Sequence, residues 1–419
     1  MYSTQTPFSV CFRGLDTHYS QQHTMESTQA CDIAIIGGGI VGSALSYFIS
    51  QSTQNDKKVV LIDRSLSTLK GSTGHAPGFV GQFNESEVLT RLAIETVKEY
   101  TKVPGGFDVV GGLEIATSCD GVDRLRSRCE MAKRAGLAAE LISSEHAVSM
   151  APDLVKDDNQ IALYFSGDGA ANAIRITSFY QEQAQSQGVK LVEADATEIR
   201  QANGCVEGVM TTSGFIQAKQ VIIATGVWAT ELCKFDIPIP IVPVAHPYMY
   251  GEIHTPRLRK APWVRWPQHH VYARDHGGFY GLGSYDHEPV LYQPKATAIG
   301  DWIENFDGTL SHAAQFIPEE TQIVPREKFN GIFSMTPDNM PLVGNIPSVG
   351  GLYMAAAVWV THAAGTAKLL TQMLEGQAVD ETIRRALDPS RFQGRDMATL
   401  TQESLNGYNN IYKTEEQKA

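Results

Sequence analysis

Glycine and aspartate residues in the N-terminal part of the chain have the types and spacing of a nucleotide-binding site. Gly37, Gly39 and Gly42 follow the apolar run at 33–36 in G-x-G-x-x-G spacing. Such glycines allow a tight turn and close approach of the backbone to a pyrophosphate, and the helix that follows attracts phosphate at its N-terminus. Asp63 ends a second apolar run, 21 residues after Gly42, where a carboxylate meets a ribose hydroxyl. We therefore expect a dinucleotide here, contacted by Gly37, Gly39, Ile40, Val41, Gly42, Asp63 and Arg64.

A histidine in a glycine-rich loop is the second candidate for chemistry. The loop after Asp63 is rich in Gly, Ser and Pro, and it is too long for a simple connector. His75 lies in it among Gly71, Gly74 and Gly78, so the backbone can approach a flat ring closely. A neutral imidazole nitrogen is a competent nucleophile, although a loop histidine taken alone is usually a surface residue.

Hydrophobic patterns predict the elements that must hold these residues. Strands are predicted at 33–36, 58–62, 109–117, 220–226 and 352–360, and helices at 40–49, 85–101, 122–135 and 171–187. From 237 to about 325, aromatic residues, prolines and alternating strands dominate, with a hairpin predicted at 270–274 and 279–285. This order of elements predicts an α/β fold in which a mixed α+β domain is inserted into a Rossmann-like domain.

The composition excludes several classes of function. A chain of 419 residues with 42% hydrophobic and 19% charged residues is typical of a globular protein too long for one simple core. The formal net charge of −12 disfavours nucleic acid and anionic membrane surfaces as partners, and no apolar run is long enough to span a bilayer. The six cysteines are scattered without metal-ligand spacing, so we expect reduced, mostly structural thiols and no metal.

The first 30 residues give little indication of a cellular address. They are rich in Ser, Thr and Gln, they lack the apolar core of a signal peptide, and Arg13 is their only basic residue besides histidines. A mitochondrial presequence is therefore a poor fit, Met25 is an alternative start, and we expect a cytoplasmic protein. The oligomeric state is left open.

Several segments together resemble one family. The residues at 37–44, 59–64 and 224–228 are similar to the FAD site of D-amino-acid-oxidase-like flavoproteins. The loop GSTGHAPG at 71–78 resembles the loop of dimethylglycine oxidase and of the dimethylglycine and sarcosine dehydrogenases, whose histidine bonds covalently to the flavin. Further matches to dimethylglycine oxidase follow in order at 244–248, 272–277, 281–285, 329–334 and 358–362. The resemblance covers roughly 32–412 and has no counterpart of that family's folate-binding domain.

The resemblance implies FAD as the cofactor and assigns roles to particular residues. His75 would attach the flavin covalently, backbone near Ala196 would face the adenine, and the turn at 358–361 would direct helix N–H groups at the flavin. His246 and Tyr272 match the active-site histidine and tyrosine of the family. The further cofactor residues implied are Ser72, Thr73, Gly74, His75, Phe79, Ala196, Val358, Trp359, Val360 and Thr361.

The implied reaction is oxidation of a secondary or tertiary N-methyl amine, such as dimethylglycine or sarcosine, by hydride transfer to the flavin. The resulting iminium hydrolyses to an aldehyde and the demethylated amine. Because amines arrive protonated, a titratable group must accept that proton, which suits His246 and Tyr272. Arg265 or Arg274 could bind a substrate carboxylate. Oxygen or an electron-transfer protein would reoxidise the flavin.

Other interpretations stay open. The substrate could be a D-amino acid, a cyclic imino acid or an amine of specialised metabolism. A flavin-binding module without turnover is disfavoured by the presence of both His246 and Tyr272, and an NAD-dependent dehydrogenase is disfavoured by the loop around His75. The predicted ranges are 31–106, 150–235 and 326–385 for the FAD-binding domain, 107–149 and 236–325 for the substrate domain, and 1–30 and 386–419 for polar tails.

Overall fold

The computed structural model describes residues 29–52, 57–158, 160–233, 235–321 and 323–411. The predicted N-terminal tail lies outside these ranges except for its last two residues, as do Cys11, Arg13 and Met25. The five cysteines within the ranges form no disulfide. In the same ranges, none of the helices combines the length and the apolar character needed to cross a bilayer.

The chain forms strands and helices along its whole described length. In chain order the strands are β1 (Gln29–Ile36), β2 (Val59–Asp63), β3 (Phe79–Val80), β4 (Phe107–Asp108), β5 (Gly112–Ala116), β6 (Ala139–Ser143), β7 (Ile161–Phe165), β8 (Gly169–Ala171), β9 (Lys190–Glu193), β10 (Ala196–Ala202), β11 (Cys205–Thr211), β12 (Gly214–Ile223), β13 (Val242–Gly251), β14 (Trp263–Trp266), β15 (Val271–Asp275), β16 (Tyr280–Ser284), β17 (Pro325–Met335), β18 (Leu342–Asn345) and β19 (Leu352–Ala356). The helices are α1 (Ile40–Ser50), α2 (Ser72–His75), α3 (Glu87–Tyr100), α4 (Cys119–Arg134), α5 (Ser144–Met150), α6 (Ala173–Ser186), α7 (Ala229–Leu232), α8 (Phe306–Ala314), α9 (Ala363–Leu374), α10 (Glu381–Leu387) and α11 (Met397–Asn409).

The first sheet carries the glycine motif. Its order is β10-β11-β12-β1-β2-β9, with β19 beside β12 and β18 beside β19. β1 runs parallel to both β2 and β12, and its residues at 33–36 are buried on both faces. α1 packs against α6 and α9. The predicted Rossmann-like arrangement is confirmed, with the glycine turn at the carboxyl end of β1.

The second sheet belongs to the inserted mixed domain. Its order is β17-β13-β16-β15-β14-β5-β7-β6, in which β14 and β5 are parallel and the other neighbours are antiparallel. β15 and β16 form the predicted hairpin, with Val271 opposite Ser284 and Asp275 opposite Tyr280. A small sheet, β3-β8-β4, shares no strand with either of them.

The sheets divide the chain differently from the predicted domain ranges in two places. β7 was expected in the FAD-binding domain, but it pairs with β5 and β6 in the second sheet. β17 was expected there too, but it pairs along its length with β13. The partner strand is distant in sequence in each case, so local pattern carries no information about which sheet the strand joins.

The range predicted as a C-terminal tail also differs, because α11 lies within it and packs on the folded molecule. Leu400 is fully buried in the apolar cluster of the first sheet, and Tyr408 is fully buried among aromatic residues of the second. Ser404 and Gly407 complete the same buried stripe at helical spacing. The stripe is hard to see in the sequence because two of its four residues are not large and apolar.

Candidate functional site

The glycine turn has the close backbone contacts that the motif predicts. Gly37 has a φ of +107°, and a Cβ there would lie 2.3 Å from the carbonyl oxygen of Ala224. A Cβ on Gly42 would lie 1.8 Å from the carbonyl oxygen of Gly37. α1 then begins after Gly39, which offers no side chain to cap the helix. The N–H groups of its first turn beyond Ile40 are therefore available to an anion.

Asp63 makes hydrogen bonds within the protein in addition to its predicted contact with a ribose hydroxyl. One carboxylate oxygen accepts from the backbone N–H of Gly38 at 2.7 Å, and the other accepts from the backbone N–H and the hydroxyl of Ser65. A carboxylate has about four acceptor positions, so Asp63 retains capacity for a ribose hydroxyl. It lies on the wall of the cavity described next.

A cavity of about 1100 Å³, measured with its open mouth, follows the glycine turn. Thr73 accepts from the backbone N–H of Ile40 at 3.0 Å and so ties the loop of α2 to the start of α1. The predicted cofactor residues that line the cavity are Gly37, Gly39, Ile40, Val41, Asp63, Arg64, Ser72, Thr73, Ala196 and Val358. Those that do not line it are Gly42, Gly74, His75, Phe79, Trp359, Val360 and Thr361.

The groups around this cavity fit a dinucleotide. The hydroxyl of Thr225 is buried and has no hydrogen-bond partner among the described residues, and Thr225 lines the cavity. The guanidinium of Arg64 lies 4.6 Å from the ring centre of Trp228, and the two side chains form a wall suited to a flat base. Trp228 and Ser334 are also on the wall. They lie in the segments 224–228 and 329–334 that resemble the family, but the resemblance assigns neither of them to the site.

The loop that carries His75 is held by contacts from the second sheet. Nδ1 of His75 lies 2.9 Å from the carbonyl oxygen of Gly71. Because a carbonyl only accepts, Nδ1 carries the proton and Nε2 keeps its lone pair. Arg274 donates to the carbonyl oxygen of Pro77, and Gly78 adopts a φ of +82°. The imidazole is half-buried.

The structure brings the predicted catalytic pair together. His246 on β13 is 3% exposed, and its Nε2 lies 2.7 Å from the hydroxyl of Tyr272 on β15. Its Nδ1 lies 2.6 Å from the hydroxyl of Tyr408 on α11. The rings of Tyr285 and Phe333 lie 4.5 and 4.9 Å from the imidazole. Burial, with a smaller contribution from His287, holds the pKa of His246 well below its ordinary value, so the ring is neutral at pH 7.

Aromatic contacts connect this pair to the predicted turn at 358–361. The ring of Phe333 packs against His246 on one side and lies 5.7 Å from the ring of Trp359 on the other. The hydroxyl of Thr361 donates to the carbonyl oxygen of Phe79, and Val360 accepts from a buried tyrosine of α3. A single turn of 3-10 helix, Val360–His362, then precedes α9. The predicted cofactor segment and the predicted catalytic pair are thus neighbours.

The two arginines considered for a substrate carboxylate are engaged with the protein itself. Arg265 pairs with the buried Glu114 and lies over the ring of Phe79 at 4.7 Å. Arg274 donates to Pro77 and lies 5.2 Å from the ring of a buried tryptophan. Both guanidinium groups therefore stabilise the wall and the loop of the site.

Known proteins are similar to this chain over most of its length. The family model described as FAD dependent oxidoreductase matches residues 32–373. Human mitochondrial dimethylglycine dehydrogenase is 27% identical over 99% of this chain and 51% of its own length. Human mitochondrial sarcosine dehydrogenase is 26% identical over 77% of this chain and 37% of its own length. The chain thus spans about half, or less, of the length of these relatives.

A solved structure shows the same fold. The crystal structure of L-proline dehydrogenase from P. horikoshii has a TM-score of 0.78, at 22% identity, over 87% of this chain and 98% of that one. The predicted α/β class with a sheet-based FAD-binding domain is confirmed. With the family model matching most of its length, the chain belongs to the FAD dependent oxidoreductase family.

Proposed function

We propose that this chain oxidises a secondary or tertiary N-methyl amine, an N-methylated amino acid such as dimethylglycine or sarcosine. The observation that carries the proposal is the buried hydrogen bond between neutral His246 and Tyr272, which Phe333 and Trp359 connect to the predicted cofactor segment. The names of the two human relatives support the substrate class. When bound, FAD supplies the acceptor for the hydride that leaves the carbon next to nitrogen.

The roles of Tyr272 and His246 follow from the protonation state of the substrate. An ammonium nitrogen has no lone pair, so it has to lose a proton before the adjacent C–H bond can break as a hydride. The oxygen of Tyr272 can accept that proton while its own proton moves to Nε2 of His246. The surrounding aromatic rings exclude water and favour a cationic methylamine by cation–π attraction.

His75 is the proposed covalent attachment point of the flavin. Its Nδ1–H is held by the carbonyl of Gly71, which leaves Nε2 as the free nucleophile. Arg274 and Gly78 fix the loop, so the imidazole has a defined position relative to the cavity mouth. A covalent link would retain the cofactor and raise its potential, which favours oxidation of a C–N bond.

The attachment is tested by denaturing the purified flavoprotein in acid and viewing the gel under ultraviolet light. Flavin fluorescence should stay with the wild-type polypeptide and with His312→Ala, an exposed histidine of α8. It should be absent from the band of His75→Ala. Release of the flavin from the wild-type protein, or its retention in His75→Ala, would rule out this attachment.

The substrate class is tested by anaerobic titration of the flavin absorbance with sarcosine, dimethylglycine, proline and D-amino acids. We expect bleaching by the N-methyl amines and little bleaching by the others. Bleaching by proline or a D-amino acid alone would instead favour the cyclic imino acid or D-amino acid alternative. Admission of air with a peroxide assay then separates oxygen from an electron-transfer protein as the acceptor.

A further inference from the structure

A chain of hydrogen bonds extends from His246 on the side opposite Tyr272. The hydroxyl of Tyr408 lies 2.6 Å from Nδ1 of His246 and 2.8 Å from Nε2 of His287. Nδ1 of His287 lies 2.8 Å from the backbone carbonyl oxygen of Glu288. Tyr408 is fully buried, whereas His287 is half-buried and followed by an exposed residue. The chain therefore runs from the centre of the site towards the surface.

The last acceptor sets the direction of every hydrogen bond in this chain. A backbone carbonyl cannot donate, so neutral His287 carries its proton on Nδ1 and accepts at Nε2. Tyr408 must then donate to His287 and accept from Nδ1–H of His246. Nε2 of His246 is left with a lone pair that accepts from Tyr272. The oxygen of Tyr272 is consequently ready to accept a proton.

Protonation of His287 reverses the same chain. Both nitrogens of His287 then donate, so the hydroxyl of Tyr408 turns to donate to Nδ1 of His246. His246 now carries its proton on Nε2 and donates to the oxygen of Tyr272. The two directions of this hydrogen-bond chain differ by one proton. That proton is gained at Tyr272, and the excess proton ends on His287.

We propose that Tyr408 and His287 form the path by which the proton of an amine substrate leaves the site; this rests on the proposed function. The oxygen of Tyr272 gains the ammonium proton as it passes its own to Nε2 of His246. His246 passes its Nδ1 proton to Tyr408, which passes its own to Nε2 of His287. The substrate becomes a neutral amine, His287 becomes an imidazolium, and the three groups between them keep their proton count.

The charges around His287 suit it to hold the proton. Burial lowers the pKa of His287 from its ordinary value, and the bond to the backbone of Glu288 and the charges of the exposed Asp286 and Glu288 partly offset this by favouring its charged form. His312 of α8 faces Asp286 at 3.8 Å. The fully buried His246 has the more strongly lowered pKa, so the proton is held more readily at the outer end of the chain.

Among the described residues, the neighbours of His287 from other elements carry no further charge into the path. The ring of Phe306 on α8 lies 4.6 Å from the imidazole, and α11 contributes the phenol of Tyr408. The side-chain amide of Asn409 donates to the backbone carbonyl of His287 and fixes this segment against α11. The position of His287 thus depends on α11, and so does the continuity of the path.

The direction of the hydrogen bonds is tested on the resting flavoprotein, without turnover. Ring ¹⁵N spectra of protein with labelled histidine show which nitrogen carries the proton. We expect His246 and His287 to carry their protons on Nδ1 at alkaline pH, where free histidine favours Nε2. The variants His246→Gln and His287→Gln assign the two signals. An Nε2–H form at either residue would overturn the proposed direction.

The path itself is tested by anaerobic flavin reduction with sarcosine across pH, using Tyr408→Phe and His287→Gln. The first variant breaks the chain, and the second keeps a polar group for Tyr408 but cannot bind a proton. In each variant, sarcosine should reduce the flavin about tenfold more slowly than in the wild type at pH 7. The difference from the wild type should shrink at high pH, where the amine arrives neutral. Tyr180→Phe, a buried tyrosine whose hydroxyl has no partner in the described chain, should match the wild type.

The outcomes separate this inference from the proposed function. If sarcosine and dimethylglycine fail to reduce the wild-type flavin, the proposed function fails and the path fails with it. If they reduce it and Tyr408→Phe is unaffected at pH 7, or is slowed equally at every pH, only the path is overturned.

Discussion

At the scale of single residues, Asp168 shows how burial alone changes a carboxyl group. It is 2% exposed, and one of its oxygens accepts from the backbone N–H of Gln82 at 2.9 Å. Burial raises the pKa of Asp168 to about 7, and the nearby Glu114 adds to the rise, while the bond from Gln82 and the charge of Arg265 oppose it. This group therefore titrates in the range in which the flavoprotein is handled.

Asp168→Asn should become more stable than the wild type as the pH rises. The folded state binds the proton of Asp168 more tightly than the unfolded state does. Protonation of Asp168 therefore stabilises the wild type fully below about pH 4, and this stabilisation is lost as the pH rises through 7. Between pH 4 and 9, the free energy of unfolding of Asp168→Asn should rise by about 4 kcal/mol relative to that of the wild type. Urea unfolding at several pH values measures it.

The exposed Asp157→Asn serves as the control for this measurement, and it should leave the pH dependence unchanged. Parallel curves for the wild type and Asp168→Asn would mean that Asp168 has no raised pKa. The amide retains the acceptor that Gln82 needs, so a difference between the curves reports the charge.

At the scale of elements, the turn between β1 and α1 allows no side chain at its last glycine. In Gly42→Ala the new Cβ would meet the backbone oxygen of Gly37, which cannot move without disturbing β1. We expect a loss of about 1–3 kcal/mol in the free energy of unfolding and a lower ratio of flavin to protein after purification. Absorbance spectra and urea unfolding measure the two effects.

Gly308→Ala in α8 is the matched control, because nothing lies within 4 Å of the position of its Cβ. The free energy of unfolding of this variant should increase by up to about 1 kcal/mol, because alanine is the better helix residue. Normal stability and full flavin content in Gly42→Ala would contradict the close contact.

Elements with a local signal were predictable from the sequence, and those defined by distant partners were not. The strand at 33–36, the glycine turn and the hairpin of β15 and β16 follow from short patterns. The membership of β7 and β17 in the second sheet depends on strands elsewhere in the chain. Tyr408 is 162 residues from His246, and its contact follows only from the packing of α11. The engagement of Arg274 with Pro77 is equally non-local.

At the scale of the whole molecule, α11 joins the two sheets. Leu400 near its start packs in the cluster of the first sheet, and Tyr408 near its end packs in that of the second. Leu400→Ala removes a fully buried side chain and should cost about 2–5 kcal/mol in the free energy of unfolding. Far-ultraviolet circular dichroism and flavin fluorescence should shift together during unfolding, because the helix couples both sheets.

Met397→Ala on the same helix is the control, since Met397 is 44% exposed and its replacement should change stability by less than about 0.5 kcal/mol. Equal effects of the two substitutions would show that α11 contributes little to the link between the sheets. Separate transitions for the two probes would show that the sheets unfold independently.

The late position of Tyr408 in the chain has a consequence for biosynthesis. Domains fold as their residues leave the ribosome, N-terminal segments first. The glycine turn, the loop of His75 and the pair of His246 and Tyr272 are all synthesised well before α11. A nascent or prematurely terminated chain could therefore acquire the cofactor before α11 is made, and the synthesis of α11 would then complete the proposed proton path.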